Sequence, residues 1–325
     1  MLRTSLCPLL GIDVPIVLAP FGPWDQVDLA AAVSNAGALG SLGTAVRSSE
    51  ELREQWARLR SLTDRPFVIN HTGRPFNEDA FAASLDERPA AISFHMGVPP
   101  DLIARAHDRG IRWLQTVGDI RAAELALEAG ADVLVAQGTE AGGNSGWISS
   151  LVLVPAVVDV AGDVPVVAAG GIGDGRGIAA ALALGAQGAS LGTRFLATEE
   201  MRIDLAWKQR IVEAGALDAV KVEMSERVLP PFTLPQVGRP FAPRALTTPL
   251  IEKLASDPEA VDPAQIGPAL VAAVRSGGGH DLLPFTGESV QLVHDIVHAG
   301  DLVVRLVKEA EAAVRRAGMT IVSYQ

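Results

Sequence analysis

The sequence contains very little cysteine, few aromatic residues and a shortage of positive charge. Cys7 is the single cysteine among 325 residues, which excludes a disulfide framework, a thiolate metal cluster and a redox pair. Aromatic residues make up 5% of the chain, so the core must consist mainly of Ala, Val, Leu and Ile, as in buried parallel strands. The net charge of −11 argues against a nucleic acid or an anionic membrane as a partner.

The chain also lacks a long apolar run. No stretch approaches the roughly 18 uninterrupted apolar residues that a membrane-spanning helix needs. Residues 1–20 faintly resemble a secretory signal, but Asp13 and prolines interrupt them and no small-residue cleavage site follows. We therefore expect a soluble, cytoplasmic protein that acts on a small molecule.

Short runs rich in Val, Ile and Ala alternate with longer segments of helical period. The predicted strands are 15–19, 38–42, 67–70, 90–95, 112–117, 133–137, 165–169 and 188–192. The predicted helices between and after them are 25–36, 49–62, 77–86, 100–108, 119–129, 149–161, 175–185 and 199–214. Repeated βα units without hairpin signals predict the α/β class and a closed (β/α)₈ TIM barrel, with an open doubly wound sheet as the alternative.

The pattern changes after residue 217, where "LPPFTLPQVGRPFAPRALTTPL" is rich in proline and has no clear period. Three further helices are predicted, at 247–256, 263–276 and 289–316. We predict a barrel domain formed by residues 1–217 and 289–325. Residues 218–288 would form a smaller, mainly helical domain over the C-terminal mouth of the barrel, where Phe232, Phe241 and prolines line a substrate pocket.

Two glycine-rich turns follow the last two predicted barrel strands. Barrel enzymes carry their reactive residues on the loops after the strands, often with a phosphate held after strands seven and eight. Here "GGIGDGRG" (170–177) and "GTRF" (192–195) occupy those places and present N–H groups suited to an anion. The alternative is that these glycines only permit tight turns. The spacing does not fit the G-x-G-x-x-G dinucleotide motif, which favours a phosphate site over a Rossmann fold.

Polar and glycine-rich groups end the other predicted strands, namely "APFG" (19–22), Asn70, His95, Gln137 and the loop "AQGTEAGGNSGW" (136–147). The amides of Asn70 and Gln137 can meet both donors and acceptors of a flat heterocycle. Gly142 and Gly143 allow the backbone to lie against it. Together with the phosphate turns, this arrangement has the dimensions of flavin mononucleotide (FMN).

The histidines near the mouth have two interpretations. His95 ends a predicted strand and either reaches the mouth as a base or is a hydrogen-bonded residue of the barrel top. His71 should point the opposite way from Asn70, which favours a structural role.

Other candidates in the sequence are weaker. Glu140 could be a base beside the flavin, but we expect an exposed loop acid or a cap of the glycine-rich loop. Ser145 lacks a recognisable base, which argues against a nucleophilic serine. His294 and His298 have metal-ligand spacing without an evident third ligand, so no metal site is predicted.

The sequence resembles the nitronate monooxygenase family, once called 2-nitropropane dioxygenases, and more distantly the flavin-dependent enoyl-carrier-protein reductases. The resemblance runs through "PIVLAP", "AAAVSNAGALGSLG", "SFHMGVP", "AQGTEAGG" and "VPVVAAGGIGDGRGIAAALALGAQGASLGTRFLATEE". It implies an FMN-binding barrel that oxidises its substrate through the flavin. The cofactor-binding residues implied by motif position are Pro20, Phe21, Gly22, Asn70, Gln137, Gly142, Gly143, Gly171, Gly173, Gly192 and Thr193.

One residue departs from the family pattern. Where "AGG" is typically followed by a histidine taken to be the acid/base group, this chain has Asn144, and an amide neither takes nor gives a proton near neutral pH. We predict Asn144 and His95 as the catalytic positions.

Three functions stay open at this point. The first is an FMN-dependent oxidase or monooxygenase acting on a small, carbanion-like substrate such as an alkyl nitronate, with O2. The second is an NAD(P)H-dependent flavin reductase acting on a quinone or an enoyl thioester. The third is an FMN-binding protein without turnover.

Overall fold

Eight parallel strands form a barrel at the centre of the protein. The computed structural model describes residues 2–22, 24–229 and 241–322. Its strands are β1 (Ile16–Leu18), β2 (Gly40–Gly43), β3 (Phe67–Thr72), β4 (Ala91–His95), β5 (Arg112–Val117), β6 (Val133–Gln137), β7 (Gly143–Ser145), β8 (Val166–Ala169), β9 (Gly188–Leu191), β10 (Ala219–Lys221) and β11 (Ala242–Leu246). Eight of them pair in the order β1-β9-β8-β6-β5-β4-β3-β2, and a bridge between Val17 and Leu39 joins the two outer strands. The predicted TIM barrel, with all eight predicted strands, is confirmed.

Helices follow the strands and cover the outside of the barrel. They are α1 (Leu6–Leu10), α2 (Val27–Asn35), α3 (Ser49–Leu62), α4 (Glu78–Glu87), α5 (Pro100–His107), α6 (Ile120–Glu128), α7 (Ser150–Ala161), α8 (Gly175–Ala183), α9 (Thr193–Leu196), α10 (Leu205–Glu213), α11 (Pro249–Ser256), α12 (Pro263–Ser276) and α13 (Ala299–Val322). Side chains that accept free N–H groups begin several of them; Ser48, for example, forms a capping box with Glu51 at α3. No helix among the described residues is long and apolar enough to cross a membrane.

Side chains alternate along each barrel strand between the barrel interior and the surrounding helices. On β3, Val68 belongs to the interior cluster, whereas Ile69 packs in the larger cluster beneath the helices. The short helix α1 closes the amino-terminal end of the barrel with Leu6, Cys7 and Leu10, which are buried in the interior cluster. The inward-facing residues become polar only towards the carboxyl ends of the strands, which is where the site must lie.

The chain beyond α10 adds a small antiparallel sheet that the sequence did not predict. Its order is β10-β11-β7, so the strand β7, which lies in the loop after β6, pairs with β11. This pairing places β11 at the carboxyl-end face of the barrel. Helices α11 and α12 pack nearby in a separate apolar cluster that includes Leu254 and Leu270. Phe232 falls in 230–240, outside the described residues, and the limits of the smaller domain stay a prediction.

Two predicted helices have different limits in the structure. The last helix begins at Ala299 rather than at residue 289, and Glu288–Leu292 form a 3₁₀ turn instead. Long-range contacts hold this stretch in place, because the Glu288 N–H donates to the Glu140 carbonyl and Thr198 bridges Val297. The predicted helix 199–214 begins only at Leu205, after the short α9.

Candidate active site

Three polar side chains face the inside of the barrel where β3, β4 and β6 end. Asn70 and Gln137 each lie two residues beyond an inward-facing valine, and His95 lies four residues beyond the inward-facing Ala91. The amide of Asn70 is buried and donates to the Ser93 hydroxyl at 2.9 Å. The predicted amides and His95 therefore lie on one side of the barrel mouth.

The glycine-rich loop after β6 brings Asn144 to the same end of the barrel. Its strand β7 pairs with β11, and Asn144 stands opposite Pro243. The Lys221 ammonium donates to the Ser145 and Gly146 carbonyls, both at 3.0 Å, and to the Ala242 carbonyl at 3.1 Å. The backbone around Asn144 is therefore fixed to the small sheet by a cation as well as by strand pairing.

A second cation fixes the first half of the loop. Arg244 is buried, and its guanidinium donates to the Thr139 carbonyl at 3.1 and 3.0 Å and to the Ala219 carbonyl at 2.7 Å. It also pairs with Glu288 at 2.8 Å. Lys221 and Arg244 lie in the aperiodic part of the sequence, so no local signal could have identified either.

Glu140 and Ser145 have structural partners. Both carboxylate oxygens of Glu140 accept from the Ser150 N–H, and one accepts from its hydroxyl, so Glu140 is bound to the first residue of α7. The Ser145 hydroxyl accepts from Lys221 at 2.6 Å. The N–H groups of Lys221 are shared between this hydroxyl and three carbonyls, so the nitrogen is a donor here, which leaves Ser145 without a base.

Three buried polar atoms at the mouth lack a hydrogen-bond partner among the described residues. They are Nε2 of His95, Oε1 of Gln137 and Oδ1 of Asn144. Leaving a buried polar atom unpaired costs about 1–3 kcal/mol, and a group of them is typical of a site that binds a polar ligand. The ring of His95 lies edge-on to Phe241 at 5.4 Å, and burial lowers the pKa of His95 to about 4.

The predicted phosphate turns contain glycines with different surroundings. Gly171 adopts a positive φ of 73°, which favours glycine. A Cβ on Gly192 would make only ordinary contacts, at 3.5 Å from Ala19 Cβ and 3.7 Å from Phe21 Cε1. The protein itself therefore leaves room at residue 192, and Phe21 lies beside this turn.

Other predicted cofactor residues pack against the segment that returns from the small sheet. A Cβ on Gly142 would lie 2.7 Å from the Gly287 nitrogen, and a Cβ on Gly173 would lie 2.8 Å from Leu292 Cβ. The Thr193 hydroxyl accepts from the Gly287 N–H at 2.8 Å. Close packing therefore already explains glycine at 142 and 173, and their contact with a cofactor stays a prediction.

Gly143 and Gly22, the other two glycines at the mouth, both have a positive φ. Gly143 has a positive φ of 66°, and no described atom lies within 4 Å of the position that a Cβ would take, so it faces open space. Gly22, which follows Pro20 and Phe21 after β1, also has a positive φ, of 48°, and a Cβ on Gly43 would collide with its backbone.

The other histidines are used structurally. His71 points away from the barrel interior, and its ring nitrogens contact the Thr44 hydroxyl at 3.2 Å and the Ser84 hydroxyl at 2.8 Å. Burial lowers the pKa of His71 to about 3. His298 precedes α13 and lies beside Glu199 and Glu200. Among the residues that the structure describes, no group of three or more His, Cys, Asp or Glu side chains is placed to hold a metal ion.

Comparison with known proteins identifies the family. The profile of the family described as nitronate monooxygenase matches residues 3–80 and 71–309. The chain belongs to the nitronate monooxygenase family. A nitronate monooxygenase from Paraburkholderia phytofirmans is 33% identical over 97% of each chain. A "(3aS,4S,5R,7aS)-5-hydroxy-7a-methyl-1-oxo-octahydro-1H-indene-4-carboxyl-CoA dehydrogenase" from Mycobacterium tuberculosis is 36% identical over 85% of this chain and 73% of its own.

Solved structures agree with this membership. FabK from Thermotoga maritima superposes with a TM-score of 0.88 and 31% identity, covering 98% of this chain and all of its own, in line with the resemblance to enoyl-carrier-protein reductases. A nitroalkane oxidase from Streptomyces ansochromogenes has a TM-score of 0.79 and 30% identity over 97% of this chain and all of its own. This member of the nitronate monooxygenase family is therefore an oxidoreductase, and its family is in general flavin-dependent and acts on small molecules.

Proposed function

We propose that this nitronate monooxygenase family member binds FMN at the barrel mouth and oxidises a small, carbanion-like substrate such as an alkyl nitronate, with O2 as the electron acceptor. The observation that carries the proposal is the group of buried, unpartnered atoms on Gln137, Asn144 and His95 at the carboxyl ends of the barrel strands. Two of them are amide oxygens, which can accept from an N–H or O–H donor of a ligand.

The residues at the mouth fit a flavin mononucleotide. Oε1 of Gln137 or Oδ1 of Asn144 would accept from the single N–H group of its oxidised ring, while Asn70 adds a buried amide beside them. The turns at Gly171 and Gly192 would offer N–H groups to its phosphate. When bound, FMN supplies the capacity to take electrons from the substrate and pass them to O2.

The protonation states at the mouth favour a substrate that arrives already deprotonated. Asn144 cannot exchange a proton near neutral pH, and His95, with its pKa lowered to about 4, is neutral there and a weak base. A nitronate has lost its C–H proton before it binds, so these residues need only orient it. Phe241, packed against His95, would add an apolar wall from residues 218–288, which we propose as a substrate-pocket domain.

Flavin binding is tested by titrating the purified protein with FMN and recording absorbance and fluorescence. We expect a yellow protein, and about tenfold weaker FMN binding in Gln137→Leu, because the variant loses one buried hydrogen bond. Gln265→Leu, the same change at an exposed glutamine of α12, is the matched control. A wild-type protein that takes up no FMN would refute the proposal.

Turnover is tested by anaerobic bleaching of the bound flavin with an alkyl nitronate, the neutral nitroalkane and NADPH in turn. Rapid bleaching by the nitronate, followed by reoxidation with O2, is the expected result. Bleaching by NADPH alone would instead favour an NAD(P)H-dependent flavin reductase acting on a thioester or quinone. The relative named as a carboxyl-CoA dehydrogenase, at 36% identity, supports that second candidate. A flavin that no substrate reduces would favour binding without turnover.

A further inference from the structure

A second cavity opens beside the barrel mouth, next to the ends of β2 and β3. Its volume is about 550 Å³, within the range of roughly 300–1,000 Å³ that is usual for small-molecule sites. Residues 44–47, 71, 72 and 75–79 line it. None of the residues that we assign to FMN is among these lining residues. The cavity is therefore separate from the proposed flavin site, although it adjoins the same end of the barrel.

Arg47 supplies a free donor in this cavity. Within the described part of the chain, its Nη1 atom is buried and has no hydrogen-bond partner. Burial lowers the pKa of Arg47, and the nearby carboxylates of Asp25 and Glu51 oppose that effect. The guanidinium stays charged at neutral pH, because arginine is not deprotonated in proteins. A charged N–H group that is buried without a partner is best satisfied by an anion.

The first residues of α4 also line the cavity. Asn77 caps α4, and its side chain accepts from the Ala80 N–H, so the N–H groups of Glu78 and Asp79 have no partner within the helix. The Glu78 carboxylate is held by Arg105 at 2.5 Å. The Asp79 carboxylate is exposed at the rim.

Phe76 gives the cavity an apolar component. Its ring is half-buried and packs beside Phe81 and Phe94, with ring centroids 5.9 and 6.1 Å away. The volume exceeds what a simple inorganic anion fills. An aromatic ring, a buried guanidinium nitrogen and free N–H groups in one cavity match a molecule that carries both a phosphate and a flat ring.

We infer that this cavity binds the nucleoside diphosphate portion of a reactant, with Arg47 contacting a phosphate and Phe76 contacting the base. Nicotinamide dinucleotides and coenzyme A thioesters share this group. Thr72 in the cavity lies two residues beyond Asn70 on β3, which is about 7 Å along the strand, so an extended molecule held here reaches the mouth. The inference goes beyond the proposed function, in which O2 is the second reactant. It adds a nucleotide-bearing reactant of the kind that the flavin-reductase alternative would use.

The test is calorimetric titration of the FMN-loaded protein with NADPH, coenzyme A and pyrophosphate. At least one of the two nucleotides should bind, and pyrophosphate should compete with it. Arg47→Gln should raise its Kd about 10- to 100-fold, because a charge-assisted hydrogen bond is lost. Arg53→Gln removes an exposed arginine of α3 that pairs with Asp86, and should change the Kd less than about twofold.

A second variant separates the two contacts. Phe76→Leu should weaken nucleotide binding but leave pyrophosphate binding unchanged. If Arg47→Gln does not fold, this variant tests the inference, and unchanged nucleotide binding in it would overturn the inference. Which nucleotide binds identifies the source of the diphosphate. Failure of both to bind, or equal binding by wild type and Arg47→Gln, would overturn the inference. Flavin bleaching by a nitronate without nucleotide binding would leave the proposed function standing, whereas nucleotide binding without any flavin reduction would refute the function alone.

Discussion

Asn144→His should give this oxidoreductase the proton-transfer group that its relatives are taken to carry. Residue 144 lies on β7, in the loop after β6, and the backbone of β7 is held by strand pairing with β11 and by the Lys221 ammonium. None of these contacts uses the side chain of Asn144, so the substitution should not move the loop. The imidazole would occupy the place of an amide whose oxygen has no partner among the described residues.

The magnitude follows from the two bases that the mouth would then contain. A well-placed general base contributes a factor of about 10²–10⁴, or about 2.7–5.5 kcal/mol of barrier. Burial at this mouth lowers the pKa of His95 to about 4, and partial burial should likewise lower that of an introduced histidine below about 6.5. A weaker base transfers protons less effectively. We therefore expect a gain near the lower limit, about 100-fold, for the neutral nitroalkane.

The assay is anaerobic stopped-flow bleaching of the flavin by the nitroalkane and by the corresponding nitronate. The nitronate rate should change less than about tenfold, since its proton is already gone. The nitroalkane rate of the variant should fall as the pH falls through the pKa of the new imidazole. Asn144→Leu, which removes the amide without adding a base, is the control. Rapid nitroalkane turnover by the wild type, abolished by His95→Gln, would show that His95 already acts as the base and refute this reasoning.

Three further predictions concern stability. His71→Gln should flatten the pH dependence of unfolding, because the folded-state pKa of His71 is about 3 and the unfolded chain therefore binds the proton first. In urea titrations the contribution of His71 should lower wild-type stability by about 2 kcal/mol from pH 7.5 to about pH 5, with His294→Gln as the exposed control. Lys221→Met should leave three carbonyls without their donor, lowering the free energy of unfolding by about 1–3 kcal/mol and the affinity for FMN together. Gly142→Ala should cost about 1–3 kcal/mol, measured by urea unfolding, because its Cβ would press on the Gly287 backbone; an unchanged midpoint would show that the return segment moves aside.

The barrel could be predicted because its signals are local. Each strand is a short apolar run, each helix has its own period, and glycines mark the returns, so all eight strands were found to within a few residues. The alternation of side chains along β3 also separated Asn70, which faces inwards, from His71, which does not.

The small sheet could not be predicted for the opposite reason. Its strands β7, β10 and β11 have three to five residues each, and β7 pairs with β11 across about a hundred positions of sequence. Pro243 lies within β11, where propensity argues against a strand. The predicted start of the last helix was wrong for a similar reason. Glu288 and Val297 contact distant residues, and these contacts keep the chain out of a helix although its sequence has a helical period.

The small sheet gives a second reason for glycines in the loop 136–147, besides close approach to a ligand. The loop must approach the return segment at Gly142, where a side chain would meet the backbone of Gly287, and must turn at Gly143 with a positive φ to enter β7. Both conditions apply whether or not a cofactor lies beside the loop, so the glycines alone are weak evidence for a flavin. The unpartnered oxygen of Asn144 is stronger evidence, because the same pairing that fixes β7 buries this atom without offering it a donor among the described residues. A ligand that offers an N–H or O–H donor would remove the cost of leaving that oxygen unpaired.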